Sequence, residues 1–182
     1  MPSNRRPVPA VEKRAEIITA ARSQFVEFSY ESAPISRIAK HAGVTTNTIY
    51  WYFEDKDDLL VSVLEEIFLE NFKELEDIKS APARDQLYWV IQKLKVFHRL
   101  VSTVHLRIQF SEKVKAWHDG FHAQINAALE KNLPPPSDQA ARDAKLRIIA
   151  FGIEGIITHD LNQDEISKAC DALTAMLRML PD

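Results

Sequence analysis

Three residues at fixed offsets constrain this chain most: Ala39, Gly43 and Ile49, with Gly43 four and Ile49 ten positions after Ala39. Two short helices that cross steeply need a small residue where they touch and a turn residue able to take a positive φ. They also need a branched apolar residue on the second helix pointing back into the core. These three residues meet those needs in that order. Upstream, Ile17, Ala21, Phe25 and Phe28 recur at spacings of four, four and three, with Ile18 beside them, and predict an amphipathic helix from Val11 to Phe28. Ser29, Ser32 and Pro34 interrupt that pattern. A second helix is expected from Pro34 to His41, with Ile35, Ile38 and Ala39 facing inward and the proline tolerated in its first turn. Thr45 is the expected N-cap of a third helix reaching Tyr52, whose inner side is Ile49, with Val44 and Phe53 completing the core. Its outer side carries Thr46, Asn47, Thr48, Tyr50, Trp51 and Tyr52, three of them aromatic. A merely solvated helix rarely exposes three aromatic rings.

The run from Ile17 to Leu60, through IITAARSQF, ISRIAKHAGV and TTNTIYWYFEDKDDLL, resembles the tetracycline-repressor (TetR) family. Beyond residue 60 the likeness is one of helical architecture. The family's recognition-helix pattern is met by Val44, Thr45, Thr48, Ile49, Tyr50, Tyr52, Phe53 and Lys56. The resemblance implies a transcriptional repressor that binds a palindromic operator in double-stranded DNA as a homodimer. Its two reading helices would lie about 34 to 36 Å apart, one turn of DNA, or a multiple. Thr45 and Thr48, at a helix N-terminus, suit a phosphate, and Tyr50, Tyr52 and Lys56 reach flanking phosphates. Thr46 and Asn47 are the expected base readers, because asparagine pairs with adenine N6 and N7 and a threonine methyl packs on thymine. Trp51 shares the face, and by resemblance Ser36 and Arg37 assist. Two positions depart from the family: Ser29 stands where glycine is usual and Pro34 where threonine is usual, which leaves Ser32 as the expected cap of the second helix.

The whole-chain charge of −3 is unpromising for a polyanion binder until it is divided. Residues 1–53 hold seven basic and four acidic side chains, a balance of +3, which leaves −6 for the rest of the chain. A positive first third and an acidic remainder fit a protein that touches phosphate with its N-terminal part only. The expected organisation is a helix-turn-helix domain at 1–55, with 1–10 a flexible basic arm carrying Arg5 and Arg6, and a helical ligand-binding and dimerisation domain at 56–182. No run approaches a membrane span and the N-terminus lacks a secretory apolar segment, so a cytoplasmic, nucleoid-associated location is expected. The single cysteine, Cys170, excludes an internal disulfide and reads as a small buried residue at the dimer face.

The fold class is all-α, with about nine helices and no strand signal. After the third helix, further helices are expected at about 56–78, 83–100, 103–117, 121–132, 138–159 and 164–180, broken at Ser80-Ala81-Pro82, Gly120, Pro134-Pro135-Pro136 and Asn162-Gln163. The acidic cluster Glu54, Asp55, Asp57 and Asp58 is read as capping, with Asp55 as N-cap and Asp58 three residues on. The last two helices are too apolar to cover one small core. Ile149, Gly152, Ile153, Gly155, Ile156, Leu173, Met176, Leu177 and Leu180 are the expected dimer face. Trp89, Phe97, His98, His105, Phe110, Trp117, Phe121 and His122 mix aromatic and imidazole groups. The resemblance implies an inducer pocket there, taking a small apolar or aromatic ligand. His118-Asp119-Gly120-Phe121-His122 spaces its histidines like HExxH, but aspartate stands where the general-base glutamate belongs, and the pair is read as a polar helix end, not a metal site. No nucleophile, base and metal set assembles, so no enzyme and no cofactor is expected. The alternative is an architectural or cell-cycle DNA-binding factor whose C-terminal domain binds a protein.

Overall fold

The computed structural model describes residues 10–130 and 138–178. These form nine helices and no strand: α1 (Ala10–Phe28), α2 (Ile35–His41), α3 (Thr46–Tyr52), α4 (Lys56–Asp77), α5 (Ala83–Val96), α6 (His98–Arg107), α7 (Glu112–Glu130), α8 (Gln139–Thr158) and α9 (Gln163–Arg178). The all-α expectation holds among the described residues. Arg5, Arg6, the triple proline, Leu180 and the side chain of Leu177 lie outside them. No described helix is long and apolar enough to cross a membrane. Two compact units divide the chain, Met1–Phe68 and Leu69–Asp182, and the division falls inside α4, whereas the sequence places a boundary at that helix's first residue.

In the first unit the apolar stripe of α1 is buried at Ile17, Ile18, Ala21 and Phe25, and Ile38, Ala39, Ile49 and Phe53 are buried in the same unit. Phe28 departs from expectation. It is the last residue of α1, and in place of core it meets the Arg37 guanidinium, 4.2 Å from its ring centroid. Gly43 takes the required positive φ, 65°, and Ser29 adopts φ 71°, a conformation glycine would take without strain. Ser32 does not cap α2. Pro34 occupies that position with no side-chain cap bond, because its extended φ and ψ of −64° and 154° lead straight into the helix, and the Ser32 carbonyl accepts from Arg37 Nη1 at 3.1 Å.

Capping sets the next two helices. Thr45 Oγ1 accepts the Thr48 N–H at 3.1 Å and starts α3. Asp55 Oδ1 accepts the Asp58 N–H at 2.7 Å, and Asp58 Oδ2 returns to the Glu54 N–H at 2.8 Å. This is a capping box whose return bond lands one residue before the cap.

The second unit is built on α5, α8 and α9 around Ile91, Ile149, Ile156, Ile166, Cys170 and Leu173. Gly152 allows the last two helices to close: a Cβ there would stand 2.9 Å from Leu173 Cδ2. Asn162 Oδ1 accepts the Asp164 and Glu165 N–H groups at 3.0 and 3.1 Å, and Glu165 Oε2 accepts the Asn162 N–H at 2.8 Å, a capping box at the start of α9.

Three expectations need correction. The expected 83–100 helix is divided at Phe97, whose φ and ψ of −106° and 18° end α5 without any proline or glycine. Gly120 breaks nothing: α7 runs through it from Glu112, and the interruption comes earlier, at Ile108–Ser111, where the Ser111 hydroxyl accepts the Val114 N–H at 3.4 Å. A glycine costs a helix only about 1 kcal/mol relative to alanine, which tertiary packing overrides. Finally, Ile149, Ile156, Leu173 and Cys170, expected at a subunit face, are buried inside the protomer's own core. The apolar side chains that α8 turns outward are Ile148 and Phe151, 54% and 60% exposed, sharing a helical face with Gly152 and Gly155, while Met176 is exposed on α9.

Candidate functional site

Only Ile49 of the seven residues in α3 is buried. Asn47, Tyr50 and Trp51 are exposed, Trp51 by 73%, and Thr46, Thr48 and Tyr52 are half-buried. The Trp51 and Tyr52 rings meet edge to face with centroids 4.6 Å apart, which orders two large amphipathic groups on one side of the helix. At its N-terminus the Thr45 and Thr48 hydroxyls lie 2.9 Å apart, so the residues expected to hold a phosphate also hold each other. Ser36 and Arg37 are exposed on α2. Lys56 is half-buried: its Nζ donates to the Tyr30 carbonyl and sits 4.1 Å from the Tyr30 ring centroid. The face thus combines hydroxyl, amide and aromatic groups on a short helix held by one apolar anchor.

A second constellation lies in the Leu69–Asp182 unit. His118 and His122 face one way from α7, His105 comes from α6 and Glu154 from α8. His122 Nε2 lies 3.1 Å from both Glu154 Oε1 and His118 Nε2, and His105 Nε2 lies 3.7 Å from the same carboxylate oxygen. All four side chains are partly buried. The neighbouring His105 and His122 imidazoles hold the Glu154 carboxyl down to about 2. His105 is raised by the facing Glu154 carboxylate, whereas burial, followed by the neighbouring His122, lowers His118. These histidines are therefore not a polar helix end but the middle of α7, turned toward two other helices.

Of the expected pocket residues, Trp117 and Phe121 stack at 5.4 Å, Phe121 meets His122 at 5.6 Å, and His105 meets the His118 ring at 5.3 Å. Trp89 lies under Lys93 Nζ, 5.1 Å from its ring centroid, and Phe97 sits at the α5–α6 joint. His98 is exposed with Nδ1 3.0 Å from the Lys95 carbonyl, and Phe110 is exposed after α6. Sequence reasoning missed Glu154. Its signal was present: a single carboxylate within the otherwise apolar run IIAFGIEGII.

The family model for bacterial regulatory proteins of the tetR family matches residues 17–63. Over 167 residues the chain is 42% identical to the fatty acid metabolism regulator protein of Bacillus subtilis (strain 168), covering 90% of this chain and 75% of that protein. The chain belongs to the TetR family. A transcriptional regulator from Rhodococcus sp. Rha1 superposes on this TetR-family chain with a TM-score of 0.74 at 15% identity, over 90% of this chain and 95% of that one. A transcriptional regulator FadR from Bacillus subtilis, solved in complex with stearoyl-CoA, superposes with a TM-score of 0.64 at 25% identity, over 92% and 99% of the two chains. This TetR-family regulator therefore carries a DNA-binding helix-turn-helix, and α3 lies within the residues that the family model matches.

Proposed function

We propose that the protein is a dimeric repressor that holds a palindromic operator through α3 of each protomer and releases it on binding a long-chain acyl-CoA thioester. The observation that carries the DNA half is the outer face of α3, where Asn47, Tyr50 and Trp51 stand exposed around one buried anchor. Thr46 and Asn47 read base edges; Thr45, Thr48, Tyr50 and Tyr52, with Ser36 and Arg37 from α2, set the register on phosphates, and Trp51 packs on the backbone sugars. Lys56 contributes through Tyr30, fixing the entry to α4.

The ligand half is supported by the relative that regulates fatty acid metabolism and by the stearoyl-CoA complex of a similar chain. An acyl tail suits the apolar and aromatic middle helices, which include Trp117 and Phe121. Dimerisation is supported by Ile148, Phe151 and Met176, large apolar side chains exposed on the last two helices, with the small residues Gly152 and Gly155 sharing the α8 face. Ligand binding shifts the dimer to a spacing that misses successive grooves.

The test is selection of bound fragments from the source genome, followed by fluorescence anisotropy on the recovered site with and without stearoyl-CoA. A palindrome recovered reproducibly, with affinity lost on adding stearoyl-CoA and kept on adding coenzyme A alone, is the expected result. Binding with no preference beyond what added salt abolishes would overturn the DNA half. Equal release by coenzyme A alone would overturn the acyl half.

A further inference from the structure

We infer that His105, His118 and Glu154 form a binding site for a divalent first-row transition-metal ion of the zinc(II) type, clamping α6, α7 and α8 together. One ring nitrogen from each histidine and one carboxylate oxygen of Glu154 all lie within 4.8 Å of one another. Zinc binds nitrogen and oxygen ligands at about 2.0 to 2.2 Å, so a tetrahedral set places neighbouring ligand atoms roughly 3.3 Å apart. Within the set, His105 Nε2 stands 3.7 Å from Glu154 Oε1, a few tenths of an ångström beyond that value. Two imidazoles and one carboxylate form a ligand set that first-row divalent ions accept and that magnesium and calcium, which prefer oxygen, do not.

Two further features support a metal over a plain hydrogen-bonded cluster. His122 Nε2 faces Glu154 Oε1 and His118 Nε2 at the same 3.1 Å, and one ring proton cannot serve both acceptors. With that proton given to Glu154, the His118 Nε2 lone pair is left to a cation whose other ligands are His105 and Glu154. In addition, His118 Nδ1 faces Asp119 Oδ1 at 3.5 Å, the carboxylate support on the far ring nitrogen that orients metal-bound histidines. Asp119 is itself held by Lys115 Nζ at 2.7 Å. His122 or a water takes the fourth position, leaving the ion open to a ligand. The site is independent of the operator and acyl-CoA readings, and its test uses neither.

The full-length protein, stripped with a chelator, is titrated with cobalt(II) while its visible d–d bands are recorded, and with zinc(II) by calorimetry. One ion per protomer and the intense bands of a four- or five-coordinate nitrogen–oxygen site are expected. His118→Ala and Glu154→Gln each weaken binding by more than about tenfold; His98→Ala, altering an exposed histidine outside the cluster, leaves it unchanged. Thermal unfolding guards against misfolded variants, because each unfolds cooperatively without metal, and zinc raises the Tm of the wild type and of His98→Ala but not of Glu154→Gln. Weak octahedral cobalt spectra, or equal affinity in the wild type, His118→Ala and Glu154→Gln, would overturn the assignment.

Discussion

The Tyr30 hydroxyl donates a 2.6 Å hydrogen bond to Asp57 Oδ1, joining residues 27 positions apart with both side chains buried. Lys56 completes the clasp by donating to the Tyr30 carbonyl and lying over its ring. The turn after α1 is thereby tied to the first turn of α4, and α2 and α3 are held in the loop between. A bond to a carboxylate contributes about 1.5 to 3 kcal/mol, and removing the donor leaves Asp57 buried without it. Tyr30→Phe should lower the unfolding free energy by that amount, read as a fall in the urea midpoint at constant m-value. An unchanged midpoint would show that water replaces the hydroxyl.

Ser29 and Gly43 make opposite predictions at similar φ, 71° and 65°. A side chain in the left-handed region costs roughly 1 to 2 kcal/mol, part of which glycine returns as unfolded-state entropy. Ser29→Gly should stabilise the protein by about 0.5 to 1 kcal/mol, and Gly43→Ala should destabilise it by about 1 kcal/mol. The open space around Gly43 isolates backbone strain as the cause, since no neighbour lies within 4 Å of an added Cβ. Thermal unfolding of the two variants checks both signs.

Within α3, stability and recognition should separate by residue. Thr45→Ala removes the cap bond to Thr48 and should cost about 1 kcal/mol in addition to weakening all DNA sequences alike. Asn47→Ala should leave the unfolding free energy within about 0.5 kcal/mol while relaxing preference at particular base pairs. Tyr50→Phe should weaken binding without altering preference. Parallel unfolding and fragment-selection measurements distinguish the three, and a base-specific effect from Thr45→Ala would contradict the division.

Close approach of α8 and α9 gives a packing test. The Cβ introduced by Gly152→Ala would stand 2.9 Å from Leu173 Cδ2, a contact the buried leucine must yield to; overpacking of this kind costs about 1 to 3 kcal/mol, offset by the roughly 1 kcal/mol that alanine gains over glycine inside a helix. Shortening Leu173 to valine in the same chain should recover part of that loss, a coupling of at least about 0.5 kcal/mol in a double-mutant cycle. Additive effects would mean that α9 moves as a body instead.

What could be read in the sequence followed the range of the interaction. The cap at Thr45, the carboxylate cap at Asp55 and the glycine turn at Gly43 depend on residues within four positions, and the structure has all of them. The divide at Phe97 had no local breaker, and the glycine at 120 was a local signal that packing overrode. Glu154 reaches His105 and His122 across 49 and 32 positions, a partnership no local pattern encodes. On α8 the amphipathic period was visible, but which side faces inward depends on α5 and α9, and that choice put Ile149 in the core and Ile148 outside.

The single buried side chain of α3 has an evolutionary consequence. With Ile49 the one buried residue of the helix, the exposed positions Asn47, Tyr50 and Trp51 can vary with little penalty to folding. A library randomised at Asn47, Tyr50 and Trp51 should therefore consist mainly of folded proteins, each a trial for a different promoter. Such a reading head can be rewired to new genes faster than the scaffold that carries it diverges.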